Sequence, residues 1–155
     1  MTDSSDPTPR ARRAARLIVT DVENRVLLFQ IARHDGSRFW ATPGGGLEEG
    51  ETFEEAARRE SIEELDHEIT ELGPPLWRGS ARFTFATLGD SPILQEEVFF
   101  RVEVESWQPS ARVADFHEEE GILEGRFFSL AELEAREAEV FPEGLVEKLR
   151  ERGIV

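Results

Sequence analysis

The sequence predicts an α/β domain in which a mixed β-sheet lies between helices. Three observations carry that reading. Several runs alternate apolar and polar residues with the two-residue period of a half-buried strand, most clearly Val98, Phe100, Val102 and Val104 against Phe99, Arg101 and Glu103. Two segments carry helix-start chemistry: a T-x-x-E capping box at Thr52 and Glu55, and an S-x-x-E box at Ser129 and Glu132. Helices do not recur between strands with the regular spacing of βαβ units, which argues against an all-parallel sheet.

Taken in order, residues 1–15 are rich in Ser, Pro and Arg without periodicity, and are expected to be a disordered tail ahead of one domain over 16–155. Arg10, Arg12, Arg13 and Arg16 offer contacts to an acidic partner, but a solubilising extension is the simpler reading. Residues 17–20 and 25–31 are β-rich runs across a polar turn, the pattern of a hairpin. A polar loop over 33–38 leads to a short strand at 39–42, which delivers the chain to Pro43 and the glycines Gly44, Gly45 and Gly46. Beyond the helix that starts at Thr52, residues 68–70 read as a brief strand before the Gly73-Pro74-Pro75 break. Residues 77–87 and the run ending at Val104 read as a second hairpin, with its turn at 89–92. Residues 105–124 read as a long polar loop, 125–128 as a strand, and 130–137 and 142–152 as the last helices.

Composition narrows the chemistry. A chain of 155 residues suits one domain with a substantial core. It has no cysteine, which excludes a disulfide framework, a thiolate zinc site and a cysteine nucleophile. No apolar run reaches the length of a membrane span or a signal-peptide core, so a soluble, cytoplasmic protein with no membrane partner is expected. A formal charge of -15 argues against nucleic acid as a partner, because phosphate backbones call for stripes of Lys and Arg. An anionic small molecule is compatible with that charge if metal ions neutralise it locally.

The stretch from the glycines through the first helix carries the chemistry. At about 100° per residue, Phe53, Ala56 and Ala57 share one side of the helix, and the same side continues as Glu60, Glu63 and Glu64. Glu54 with Arg58 and Glu55 with Arg59 have the spacing of exposed i,i+4 pairs, which need no functional explanation. The inward acidic cluster does. Like charges on adjacent turns repel unless something positive stands between them, and a hard dication such as Mg²⁺ takes oxygen ligands while sharing substrate phosphates. Three successive glycines let backbone approach closely and leave carbonyl oxygens unobstructed. The plainer alternative is a solvated acidic helix.

The same stretch resembles the Nudix box, G-x5-E-x7-R-E-U-x-E-E-x-G-U with U aliphatic, over residues 45–67. Gly45, Glu51, Arg59, Glu60, Glu63 and Glu64 stand at the matching positions, and Ser61, Asp66 and His67 depart from the pattern. The missing glycine weakens the expected left-handed helix stop, although Asp tolerates that conformation better than most residues. Ser61 exchanges core packing for a hydroxyl. The resemblance implies an α/β/α sandwich and metal-dependent hydrolysis of a diphosphate linkage in a nucleoside diphosphate derivative, with Mg²⁺ as cofactor and Mn²⁺ as the alternative. It assigns Glu60 and Glu64 as principal metal ligands beside the Gly44 carbonyl, and Glu63 to a second ion or to positioning water. Glu51 and Arg59, with Gly45, would support the site structurally. Homodimers are common in the family, so a homodimer is the expected assembly.

A general base is expected from the acidic run, where many Nudix enzymes carry a further glutamate; Glu119 and Glu120 are favoured, then Glu118, with Glu96 and Glu97 ranked lower. His34, His67 and His117 share no spacing with the glutamates and read as surface residues. Phe39, Trp40, Trp77, Phe83 and Phe85 offer base stacking, and Arg33, Arg38, Arg78 and Arg82 offer phosphate clamping, although core and surface positions are the simpler readings. No coenzyme A or NADH signature is present. A nucleotide-binding module that keeps the scaffold without turnover is the competing reading, motivated by Ser61, Asp66 and His67.

Overall fold

The computed structural model describes residues 10–84, 92–136 and 139–155. In chain order the elements are strands β1 (Arg10–Thr20), β2 (Val26–Ala32), β3 (Arg38–Ala41) and β4 (Gly44–Gly46), helix α1 (Phe53–Leu65), strands β5 (Trp77–Thr84) and β6 (Pro92–Glu103), helix α2 (Ala111–Glu120), strand β7 (Ile122–Phe128), helix α3 (Leu130–Ala135), strand β8 (Val140–Phe141) and helix α4 (Leu145–Arg152).

The strands form one mixed sheet in the order β5-β6-β1-β2-β3-β8, with β4 added to β1 and β7 to β2. β1 runs parallel to β6 along its whole length, from Arg10 opposite Ile93 to Thr20 opposite Glu103. β1 and β2 are antiparallel, but their register closes only at Thr20 and Val26, after which β2 departs to pair with β3 and β7. The space that opens beside the first half of β1 is filled by β4, whose glycines pair with Ala14, Ala15 and Arg16.

Two cores lie on opposite faces of this sheet. One packs Ala56, Ala57 and Leu65 of α1 on Ala15, Leu17, Val19, Phe29, Val98 and Phe100. The other packs Leu133, Leu145 and Leu149 of the C-terminal helices on Ile18, Leu28, Trp40, Phe99 and Phe128. Alternate residues of β1 feed the two cores, as the strand period requires. Helices on both faces of a mixed sheet give the α/β/α sandwich.

Several expectations need correction. Arg10 to Ala15 belong to β1 rather than to a tail, because parallel pairing with β6 is a non-local contact that no local pattern announces; residues 1–9 lie outside the described residues. Residues 68–70 form no strand, and Ile69 instead enters the first core while its carbonyl accepts from Arg58 Nη1 at 2.6 Å. The polar stretch over 105–124 contains α2, capped by Ser110, whose hydroxyl accepts from the Val113 N–H, and stopped by Gly121 at φ +77°. Only Val113 and His117 of that helix are buried, so its apolar face was too thin to read. The last helix begins at Leu145 rather than 142, since Val140 and Phe141 first pair with β3. The turn expected at 89–92 lies largely outside the described residues, although β5 and β6 do pair antiparallel.

Candidate active site

Glycine is required where β4 meets β1. Gly44 has φ +129°, and a Cβ there would sit 2.2 Å from the Ala15 carbonyl oxygen, a backbone atom that cannot yield. A Cβ at Gly45 would lie 2.6 Å from Glu60 Oε1, so this glycine makes a cradle in which the Glu60 carboxylate rests on bare backbone.

Helix α1 delivers the acids to that cradle. Its capping box is formed: Thr52 Oγ1 accepts from the Glu55 N–H at 3.1 Å and Glu55 Oε1 accepts from the Thr52 N–H at 2.9 Å. From that start, Glu60 and Glu64 fall one turn apart, and only 7% and 6% of each is exposed. The Gly44 N–H donates to both Glu64 oxygens, at 3.3 and 3.1 Å. Burial pushes the Glu64 carboxyl well above its usual range, and the neighbouring Glu60 charge adds to the shift while Arg16 and the Gly44 N–H act against it. Glu60 is likewise raised, first by burial and then by Glu63, against the pull of Arg59.

Arg59 organises the remaining acids. Its Nε and Nη2 donate to Glu51 at 2.8 and 2.9 Å, a two-pronged pair, and Nη2 also reaches the Gly46 carbonyl at 2.9 Å. Its Nη1 bridges Glu60 at 2.9 Å and Glu63 at 3.2 Å. The Arg59 hydrogen bonds hold the Glu51 carboxyl below its usual range despite partial burial. Arg59 therefore faces inward, not toward Glu55 as its spacing suggested, and Arg58 spends its guanidinium on Ile69 rather than on Glu54.

Two cations from β1 complete the charge pattern. Arg16 donates from Nε to Thr42 Oγ1 at 3.3 Å and from Nη2 to the Thr42 carbonyl. The Arg12 guanidinium lies against Gly46, where an added Cβ would meet Nη2 at 2.8 Å. Partial burial and the Arg16 charge pull Arg12 below its ordinary value, against Glu60 and Glu97. The end of the sheet thus gathers Glu51, Glu60, Glu63 and Glu64 with Arg12, Arg16 and Arg59 around a glycine strand.

A family model described as the NUDIX domain matches residues 10–149. The chain belongs to the NUDIX family. Over 45 residues it is 53% identical to a protein named nucleoside triphosphatase NudI from Enterobacter sp. (strain 638), a match covering 28% of this chain and 32% of that one, so only about a third of the relative's length is spanned. Among solved structures, the MutT protein from Methanosarcina mazei Go1 superposes with a TM-score of 0.69 at 14% identity, covering 96% of each chain. The NUDIX domain of Shewanella oneidensis NrtR, complexed with ADP ribose, superposes with a TM-score of 0.62 at 17% identity, covering 98% of this chain and 93% of that one.

Within this NUDIX domain the departures from the box are absorbed structurally. Asp66 adopts the left-handed stop at φ +56°, its carboxylate held by Arg112 at 2.8 Å, and Arg112 also caps the Ile62 carbonyl at 2.7 Å. Ser61 is fully buried, and its hydroxyl donates to the His67 carbonyl at 2.7 Å. Both changes close the helix rather than touch the acids.

The other expected residues fare differently. Glu118, Glu119 and Glu120 occupy the exposed last turn of α2, and among the described residues none is bonded to the acids of α1. Trp40 and Trp77 are core residues, Trp77 stacking on Phe99 at 4.7 Å, and Arg33 pairs with Glu139 at 2.9 Å and lies over Phe39. The Phe83 side chain and all of Phe85 lie outside the described residues. His117 is a correction: it is buried, not superficial, and bonds the Glu64 backbone. The structure brings Arg12 and Arg16, read from the sequence only as contacts for an acidic partner, to the glycine strand, and it buries Glu97 beside Gln95, a residue the sequence did not single out. The one local signal of the arginines is alternation, Arg12, Ala14 and Arg16 on one face, which gains meaning only once β1 lies beside β6.

Proposed function

We propose that the chain hydrolyses a diphosphate linkage in a nucleoside diphosphate derivative, assisted by a divalent cation, Mg²⁺ or Mn²⁺. The observation that supports this most is the Glu60 and Glu64 pair: two buried carboxylates, one turn apart, both raised by burial and laid against glycine backbone. Among the described residues no three acidic or imidazole side chains converge into a ready coordination shell. Two carboxylates nonetheless match the habit of Mg²⁺, which takes one or two of them and completes its shell with water and substrate phosphates.

Glu60 and Glu64 would hold the ion, with the Gly44 carbonyl and Glu63 beside them. When bound, the ion offsets charge on the phosphate oxygens as the linkage breaks. Arg59 fixes Glu60 and Glu63 in orientation, Glu63 positions the attacking water, and Glu119 or Glu120 accepts its proton on a carboxylate oxygen. Arg12 and Arg16 supply positive charge for the departing phosphate. The resemblance to a nucleoside triphosphatase supports a nucleotide as substrate.

The test is a panel of nucleotides, nucleotide sugars and dinucleoside polyphosphates with phosphate detection, run with Mg²⁺ and with chelator. Turnover that needs the ion and falls by about a hundredfold or more in Glu63→Gln and Glu64→Gln is expected. Unchanged turnover in both variants would remove the assigned machinery. The second reading, a binding module without turnover, is favoured by the ADP ribose complex of the similar NUDIX domain; tight nucleotide binding without product under saturating Mg²⁺ would select it.

A further inference from the structure

Gln95 and Glu97 stand two apart on β6, so both side chains leave the same face of the sheet, and only 5% and 7% of each is exposed. Gln95 Nε2 donates to Glu97 Oε2 at 2.8 Å. Because only the amide nitrogen can donate to a carboxylate, this bond fixes the amide, and Gln95 Oε1 is left as a buried acceptor with no partner among the described residues. Beside it, Glu97 forms no ion pair among the described residues, and the charge acting on it is that of Arg12. A buried acceptor without a donor weighs against folding, so Gln95 Oε1 calls for a donor beyond the described residues.

The register sets Glu97 two strands away from the glycine strand that seats the acids of α1. Across the strands, Gly79 of β5 opposes Glu97, Glu97 opposes Ala14 of β1, and Ala14 opposes Gly46 of β4. A Cβ added at Gly79 would meet nothing within 4 Å, and Ala14 contributes a single methyl. From Glu97 to Gly46 is two interstrand spacings, about 10 Å, a distance that a nucleotide can bridge. Arg12, opposite Gln95 in the next row, lies between Glu60 and Glu97 in its electrostatics.

We propose that Gln95 and Glu97 read a paired hydrogen-bond donor on the nucleoside end of the substrate, which the guanine edge supplies through its adjacent N1–H and 2-amino group. The inference rests on the hydrolase reading above for the position of the phosphates. Two acceptors on hydrogen-bonded neighbouring side chains call for two donors on one edge of the ligand. Adenine sets a ring nitrogen lone pair next to its amino group, and that lone pair would face the carboxylate. A ribose 2′,3′-diol presents the same donor pair, so the two sources must be separated by experiment.

The experiment is calorimetry on the full chain with Mg²⁺ and the monophosphates GMP, dGMP, IMP and AMP, none of which contains a diphosphate linkage to cleave. Base reading gives GMP and dGMP equal affinity, roughly 10- to 100-fold tighter than AMP, with IMP between. Diol reading gives GMP and AMP equal affinity, with dGMP weaker by a similar factor. In either case Glu97→Gln and Gln95→Leu each erase the difference, while Glu97→Gln melts no lower than wild type because it removes a buried charge at constant shape. Four probes bound within about twofold, none bound at millimolar concentration, or wild-type ratios kept by both variants would overturn the proposal. Because the readout is binding, a chain that discriminates these probes but releases no phosphate from any nucleotide would refute the hydrolase reading and leave this one standing.

Discussion

His117 Nε2 lies 2.9 Å from the backbone carbonyl oxygen of Glu64, so an imidazole of α2 caps the turn of α1 that carries a buried carboxylate. A carbonyl only accepts, which places the proton on Nε2. The ring is wedged against Phe29 at 4.7 Å and Trp107 at 5.9 Å, and Trp107 Nε1 donates to the next carbonyl, Leu65, at 2.9 Å. The two bonds and the Arg112 contact to Ile62 reach three of the last four carbonyls of α1 from a single neighbouring segment. Helix α2 therefore acts as a clamp on the helix end that presents Glu64.

Replacing His117 by Phe is expected to keep the packing and lose the bond, leaving the Glu64 carbonyl unpaired at about 1–3 kcal/mol in urea unfolding. The pH dependence has a definite sign. Burial lowers the His117 pKa, opposed by the bond to Glu64, so the unfolded chain binds the proton more readily than the folded one. The contribution is complete above the unfolded value of roughly 6.5 and is lost as pH falls below it. Wild type should lose stability as pH falls below about 6.5 by a term that His117→Phe lacks; parallel pH profiles for the two proteins would refute the clamp.

Gly44 and Gly45 should fail in different ways on substitution by alanine. At Gly44 the new methyl meets the Ala15 backbone at 2.2 Å and φ is +129°, so neither atom nor dihedral can relax, and a loss of about 3 kcal/mol or more is expected. At Gly45 the methyl meets the tip of Glu60, which can swing aside. Gly45→Ala should therefore melt within a few degrees of wild type yet lose Mg²⁺-dependent stabilisation. If Gly45→Ala retained the full metal response, the cradle would have no part in seating Glu60.

The parts of the fold that were legible in the sequence are those whose cause is local. The boxes at Thr52 and Ser129 need four residues each, and both are present with reciprocal bonds. The acids of α1 were legible for the same reason, since helical period alone brings Glu60 and Glu64 together. What could not be read depends on distant pairing. Arg12 reads as part of a tail, and Arg16 as a cation at the start of the domain, because the strand beside them, β6, comes four strands and a helix later. Helix α2 was hidden because Val113 and His117 are its only buried residues and the rest of its surface is solvated. His117 read as a surface histidine since nothing near it in sequence reveals the Glu64 carbonyl that it meets.

Arg59 joins the cradle to the helix through geometry that a point charge cannot copy. Its fork meets Glu51 with two bonds, reaches Gly46, and bridges Glu60 to Glu63. Arg59→Lys keeps the charge but lacks the planar fork, and is expected to lose about 1–3 kcal/mol and to lower kcat with it. Glu51→Gln removes only one of the four partners and should be milder, while lowering kcat because Arg59 is no longer held. Equal stability of Arg59→Lys and wild type in urea would show that the fork is dispensable.

Metal and pH should act on one another at Glu60 and Glu64. Both carboxyls are raised first by burial, with the Glu60 charge adding to Glu64 and the Glu63 charge to Glu60, so in the metal-free chain the folded state holds protons there more tightly than the unfolded state. That contribution is full below the unfolded glutamate value of roughly 4.3 and is lost as pH rises through the folded values. The metal-free protein thus carries increasing repulsion toward neutral pH, and a dication that replaces those protons relieves it. Mg²⁺ at about a hundred times its Kd should add roughly 2.7 kcal/mol, a Tm rise of about 5–10 °C for a domain of this size, and the rise should shrink at pH 5, where protons compete. Glu64→Gln should abolish the rise and raise the metal-free Tm at pH 8, because it removes one of the two repelling charges. A Mg²⁺ shift that is independent of pH, or one that survives Glu64→Gln, would mean that the ion binds somewhere other than this pair.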